Sequence, residues 1–166
     1  MEEGGLMDEY RQNEKPLCGD FVSKVIANAL KMGCNNACMK RIVVAPTAGA
    51  CGVMPAAAIC SVRGGSEAQM GYACAMALKN LMGLVCDPVA GLVEVPCVKR
   101  NVGGAVNALA AADMALAGII SQIPVDQVID AMGEVGIKMD VSLRETSLGG
   151  VAVSPRGIEI AEKLGM

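Results

Sequence analysis

The stretch from Ala105 to Ile120, AVNALAAADMALAGII, constrains the fold more than any other part of this chain. It carries no aromatic residue, and seven of its sixteen residues are alanine. Alanine is the strongest helix former and is depleted in strands. The stretch therefore reads as a long helix, from about Gly104 to Ser121, whose neighbours approach closely across small side chains. Asn107 and Asp113 interrupt it, and it is short for a bilayer span. Asp113 must be exposed or paired.

The whole chain supports the same inference. Hydrophobic residues make up 53% of it but aromatics only 2%, so Ala, Gly and Met must fill much of the core beside Val and Leu. Methionine fills irregular gaps between helices. The expected fold is all-α, a single compact helical domain over 18–166, preceded by a polar, loose lead-in over 1–17. Phe21, Val22, Val25, Ile26, Ala29 and Leu30 form a helical stripe, with Asp20 as N-cap and Gly33 as stop. Val53 to Val62 suits a short helix with Pro55 in its first turn. Ser66 and Glu67 open another that reaches about Met82. Further helices follow Pro124 and Ser154-Pro155.

Charge and composition exclude several functions. A net charge of −3 without a Lys/Arg cluster argues against nucleic acid. The acidic start, Met1-Glu2-Glu3, does not resemble a signal peptide, so the expected setting is cytoplasmic, without a membrane. The chain has no histidine, which rules out a histidine base, a Ser-His-Asp triad or His-ligated zinc within it. Eight cysteines in a reducing compartment are packing residues, nucleophiles or metal ligands.

Two of them, Cys86 and Cys97, bracket a ten-residue loop stiffened by Pro88 and Pro96, with Gly91 permitting a tight turn. Such a loop suits thiolate ligation of iron, although its spacing matches neither short ferredoxin runs nor a zinc knuckle. Buried structural cysteines are the alternative. Cys60 and Cys74 lie within helical segments and read as packing residues; Cys34 and Cys38 have no evident role.

The segment Leu78-Lys79-Asn80-Leu81-Met82-Gly83-Leu84-Val85-Cys86-Asp87-Pro88-Val89-Ala90-Gly91-Leu92-Val93-Glu94-Val95-Pro96-Cys97 resembles the signature of the iron–sulfur-dependent L-serine dehydratase α chain. The likeness continues through Val98-Lys99-Arg100-Asn101, Ala111 to Gly118, Leu143-Arg144-Glu145-Thr146 and the turn Ala45-Pro46-Thr47-Ala48-Gly49. It implies L-serine ammonia-lyase activity, serine to pyruvate and ammonia, on a [4Fe–4S] cluster held by three cysteines. One iron is left open as a Lewis acid for the serine hydroxyl, and pyridoxal phosphate is not used. Cys86 and Cys97 would be two of the ligands. Thr47, Gly49, Asn101 and Arg144 become substrate-binding candidates, while no residue stands out as the catalytic base. A β chain is the implied partner, and assembly into an oligomer is compatible with the pattern.

The sequence departs from that pattern in one respect. The family's third cysteine stands in a Gly-Cys-Gln context, which is missing here, and the chain is internally shortened near 55–65. Cys51, Cys60 and Cys74 are the substitutes to weigh. The competing function is a shortened, non-catalytic relative that keeps the helical fold as a structural or subunit-interaction module.

Overall fold

The structure is a computed structural model, and it describes residues 3–24, 26, 27, 30, 53–92 and 94–166. The fold is all-α, as expected: α1 (Glu3–Asn13), α2 (residues 19–24), α3 (Val53–Val62), α4 (Glu67–Leu81), α5 (Cys97–Leu116), α6 (Val125–Lys138) and α7 (Pro155–Lys163). Short 3-10 turns cover Val141–Leu143 and Gly150–Val153. No strand occurs among the described residues, and their two isolated β-bridges join Cys86 to Arg144 and Val89 to Leu92. No described helix is long and apolar enough to cross a membrane.

The helices divide into two compact units. The second unit holds α3, α4, α6 and α5 from Gly103 onward. Its core is built from Ala56, Cys60, Ala73, Ala75, Met76, Ala77, Leu78, Ala108, Ala111, Ala112, Ala115 and Val128. Each buried alanine methyl contributes only about 0.8 kcal/mol. Small side chains nonetheless let helix axes come close, which multiplies dispersion contacts. Cys60 is fully buried in this core, the packing role expected of it. A Cβ at Gly65 would lie 2.4 Å from Cys60 Sγ, so the turn after α3 closes onto that thiol only because residue 65 is glycine.

Local chemistry sets the helix ends. Ser66 and Gln69 form a reciprocal capping box at the start of α4: Gln69 N–H donates to Ser66 Oγ (3.3 Å) and Ser66 N–H to Gln69 Oε1 (2.9 Å). α5 starts at Cys97, well before the expected Gly104. Pro96 C=O accepts Arg100 N–H (3.2 Å), which closes the first turn without a polar cap to announce it. α5 stops at Leu116, ahead of Ser121, because Gly118 takes a φ of 89°. There Gly118 N–H donates to Ala115 C=O and Ile119 N–H to Met114 C=O, which closes the helix in a Schellman motif. Asn107 spans two partners, donating to Ala77 C=O (2.9 Å) and accepting from Asn80 Nδ2 (2.7 Å), while Asp113 is exposed.

The first unit comprises α1, α2, the cysteine loop with Cys97–Val102 of α5, and residues 140–166. Two expectations change here. Residues 3–13, within the expected lead-in over 1–17, form α1. Polar contacts hold it in place of an apolar stripe. Arg11 donates to Ser23 Oγ (3.1 Å) and Asp20 Oδ1 (2.7 Å), and Glu3 pairs with Lys99. Asp20 therefore serves as a partner of Arg11 inside α2 and not as its N-cap. Phe21, expected to be buried, is 68% exposed; the covered face carries Ser23 and Ala27 instead. Ser23 Oγ satisfies itself by donating to Asp20 C=O (2.8 Å), which lets a small polar residue occupy the buried side. Gly33 lies outside the described residues.

Candidate functional site

Beyond α4 the chain turns through Gly83, whose φ of 84° only glycine adopts without strain, and reaches Cys86. Cys86 N–H donates to Leu143 C=O (2.9 Å) and Glu145 N–H to Cys86 C=O (2.7 Å). The cysteine is thus held by backbone on both sides. Glu145 and Ser147 adopt φ values of 62° and 58°, uncommon for residues with a Cβ. Ser147 Oγ donates to Pro88 C=O (2.6 Å) and accepts Gly91 N–H (3.1 Å). The loop tip itself closes through Leu92 N–H to Val89 C=O (2.9 Å), and Val89 N–H donates to Val95 C=O (2.9 Å). Residues 143–147 therefore fasten the cysteine loop at two places.

Asp87 is the most constrained side chain in the loop, only 1% exposed. Its Oδ1 pairs with Arg100 Nη1 and its Oδ2 accepts Val151 N–H (2.7 Å). Arg100 Nη1 also donates to Val85 C=O (2.7 Å). Burial opposes ionisation of Asp87, but the Arg100 and Val151 hydrogen bonds outweigh it and hold the carboxyl below its usual range.

These supports bring the two thiols together. Cys86 and Cys97 are half-buried and free of disulfide, and they lie close enough for each to shift the other's titration; the Glu145 carboxyl acts on the Cys86 thiol in the same way. Burial pushes the Cys86 thiol up to about 12, reinforced by Cys97 and Glu145. Burial likewise raises the Cys97 thiol, outweighing the Cys86 hydrogen bond and the nearby Arg100 charge. Cys97 is the first residue of α5, where the helix dipole favours an anion, and still desolvation wins. In the metal-free protein both sulfurs are thus protonated at neutral pH, and a soft cation is the natural agent to displace those protons.

A protein-family model described as the serine dehydratase alpha chain matches residues 1–59 and 54–152. The chain belongs to the serine dehydratase alpha-chain family. It is 51% identical over 155 residues to a probable L-serine dehydratase alpha chain of Latilactobacillus sakei, covering 93% of this chain and 71% of that one. Against the probable L-serine dehydratase alpha chain of Bacillus subtilis the identity is 51% over 146 residues, covering 88% of this chain but 47% of the relative. The L-serine dehydratase alpha chain of Peptoniphilus asaccharolyticus is 38% identical over 207 aligned positions, covering 92% of this chain and 71% of the relative. This chain is the shorter in each case.

Of the candidate residues, the structure brings Cys86 and Cys97 near one another and places Asn101 one turn along α5 from Cys97. Asn101 is half-buried within α5, four residues after Cys97 and so on the same helix face. Arg144 pairs with Cys86 through its backbone while its side chain is exposed. Its charge adds to the Ser142 hydrogen bonds that hold the Asp140 carboxyl low. Thr47 and Gly49 lie outside the described residues, as do Cys34, Cys38 and Cys51. Cys74 is half-buried against the alanine core of the second unit. Among the described residues no group of three or more His, Cys, Asp or Glu is arranged to hold a metal ion. Two neighbouring free thiols are soft donors of the kind an iron–sulfur centre takes, and they fall short of a full ligand set.

Sequence reasoning missed two things. Glu145, with a left-handed backbone, lies close enough to Cys86 to raise its thiol pKa, and nothing in its residue type signals that. The Asp87–Arg100 pair spans two segments whose juxtaposition depends on where α5 begins.

Proposed function

We propose that this chain is the α chain of an L-serine ammonia-lyase, converting L-serine to pyruvate and ammonia with a [4Fe–4S] cluster and a β-chain partner, independently of pyridoxal phosphate. The observation that carries the reading is the meeting of two free thiols, Cys86 and Cys97, inside the family's signature loop. Bound to these thiolates, a cluster supplies Lewis acidity toward the hydroxyl that must leave.

The chain's own residues supply the setting. Cys86 and Cys97 act as ligands, and the Glu145 carboxylate is close enough to favour the protonated Cys86 thiol until a ligand displaces that proton. Asn101, one turn along from Cys97, suits hydrogen bonding to the substrate. The exposed guanidinium of Arg144 suits its carboxylate by a two-pronged contact. Thr47 and Gly49 are proposed to complete the carboxylate site. The general base is assigned to no described residue and fits a residue of the β chain or of the part of the family's α chain that is missing here.

Internal shortening near 55–65 is supported by two features of the comparisons. The family model matches in two pieces that share residues 54–59, and the Peptoniphilus alignment runs to 207 positions, more than the 166 residues of this chain. The same observation favours the competing reading, a non-catalytic relative that keeps the fold as an interaction module. Anaerobic reconstitution with iron and sulfide separates the two. The lyase reading expects a brown protein that forms pyruvate from L-serine when mixed with a β chain, with colour and activity both lost in Cys86→Ala. A folded protein that takes up no iron refutes it and leaves the module.

A further inference from the structure

The hairpin formed by α1 and α2 keeps its polar residues inward. Arg11 of α1 donates to Asp8 of its own helix (3.2 Å) and to Asp20 (2.7 Å) and Ser23 (3.1 Å) of α2. The large apolar residues of the same segment are left in water. Leu17 is fully exposed, and Phe21, Leu6 and Tyr10 are 68%, 49% and 43% exposed. Tyr10 and Phe21 are two of only three aromatic residues in the whole chain, so its scarcest large side chains stand on this surface. Single exposed apolar residues are ordinary, but these fall in two neighbouring pairs. Leu6 and Tyr10 are four apart on α1, and Phe21 comes four after Leu17. Exposed aromatic anchors of this kind characterise interfaces.

We infer that this hairpin is the surface through which two copies of the chain pair, about a two-fold axis that lays α1 of one copy along α2 of the other. The charges beside the apolar pairs select that occupant. Glu9 lies one turn from Leu6 on α1, and Lys24 lies one turn beyond Phe21 on α2. Both are exposed, and neither forms an ion pair among the described residues, whereas Glu3, Asp8 and Asp20 are engaged by Lys99 and Arg11. Glu14 and Lys15, in the connection between the helices, are likewise exposed and unpaired among the described residues. The hairpin thus carries a free acidic charge on one helix and a free basic charge on the other. Laying α1 over the partner's α2 sets apolar pair against apolar pair and opposes unlike charges. The two-fold axis makes each contact twice. A partner of one charge sign would meet like charge along one of the two helices.

Sedimentation velocity of the reduced, metal-free full chain over a concentration series measures the pairing, with reductant present so that the exposed Cys18 does not cross-link copies. The parent is expected to pass from monomer to dimer as concentration rises. Phe21→Ser should raise the dimer dissociation constant by about tenfold or more, because an aromatic anchor is lost from both copies. Glu9→Lys and Lys24→Glu should each weaken pairing. The double variant Glu9→Lys/Lys24→Glu should restore it, since the two signs only change places. All three side chains are exposed in the single chain, so circular dichroism of the variants should match the parent. Should Phe21→Ser fail to fold, the charge exchange decides alone.

A parent that stays monomeric at every concentration overturns the proposal. A dimer unmoved by Phe21→Ser and by both charge reversals also overturns it, because its interface lies elsewhere. Weakening without restoration in the double variant overturns the laying of α1 along α2. If the parent is monomeric alone and the same substitutions instead break a complex with a β chain, the hairpin serves that partner and the second-copy assignment falls. The measurement uses neither iron nor serine, so its failure leaves the lyase reading untouched.

Discussion

Three glycines in the first unit separate the cost of backbone conformation from the cost of crowding. At Gly91 the φ is 70° and a Cβ would meet nothing within 4 Å, so Gly91→Ala pays only for left-handed backbone, about 1 kcal/mol. Gly149 has an extended φ of −155°, but its Cβ would lie 2.9 Å from Ser142 C=O and 3.0 Å from Ser142 Oγ. Moderate crowding of that kind costs about 1–2 kcal/mol. Gly150 combines both problems: a φ of 62°, and a Cβ 2.0 Å from Asp87 Oδ2 and 2.7 Å from Asp87 Cβ and Cγ. Relief requires Asp87 to move and strain buried hydrogen bonds, adding about 1–3 kcal/mol to the backbone term. Gly150→Ala should therefore destabilise by about 2–4 kcal/mol, summed from left-handed backbone and overpacking. Urea unfolding of the reduced, metal-free chain measures all three. The reasoning fails if Gly150→Ala falls within about 0.5 kcal/mol of Gly91→Ala, the usual scatter between independent sites.

Other outcomes follow from single contacts. Because Asp87 has a depressed carboxyl pKa in the folded chain, its contribution is present above the ordinary carboxylate range and lost as pH falls through the lower folded value. The stability gap between parent and Asp87→Asn should thus be widest near neutrality and narrow below about pH 4; a gap constant from pH 7 to pH 3 contradicts the assignment. With its thiol pushed up to about 12, Cys86 should alkylate slowly at neutral pH, well behind the exposed Cys18, and accelerate up to the alkaline limit of folding. Peptide mapping after brief iodoacetamide treatment checks the order of modification. Ser66→Ala removes the acceptor of the α4 capping box and should cost about 1 kcal/mol. Adding Gln69→Ala should cost less in that background than in the parent, since both side chains serve one cap.

Features legible in the sequence were those encoded within a few residues. The α4 cap was readable because Ser66 precedes a helix-forming run, and Cys60 was readable as core because small apolar neighbours surround it. What escaped depends on contacts distant in sequence. Phe21 looked like the anchor of an amphipathic stripe. Yet Ser23 and Ala27 are the fully buried positions there, and Arg11 of α1 meets the Ser23 hydroxyl. The start of α5 was placed late, at about Gly104 where the alanine-rich run opens, whereas the helix begins at Cys97 with Pro96 C=O closing its first turn. That shift matters to the site: it puts Cys97, Arg100 and Asn101 on one helix. Cys86 and Cys97 were singled out through the family signature, and Glu145 was not, because its proximity to Cys86 depends on the pairing of residues 143–145 with Cys86.

The two units also differ in what holds them, and the difference bears on how ligand binding should register. The second unit rests on a continuous alanine-rich core. In the first, among the described residues around the thiols, buried apolar side chains are few (Val98 and Val89 beside Ala152), and the loop is fixed by Asp87, Arg100, Ser147 and paired backbone. A site supported by polar contacts, with both thiols protonated when empty, gains stability from any ion that binds the folded form. At a free concentration one hundred times Kd, that linkage adds about 2.7 kcal/mol. The gain should appear as a rise in the midpoint when cadmium, a thiophilic ion, is titrated into the reduced chain. It should be larger at pH 8 than at pH 6, because ligation must displace protons from sulfurs whose thiol pKa values burial has raised. Cys86→Ala should remove it. A midpoint indifferent to cadmium in the parent, or a shift that persists unchanged in Cys86→Ala, shows that these thiols do not act together on one ion.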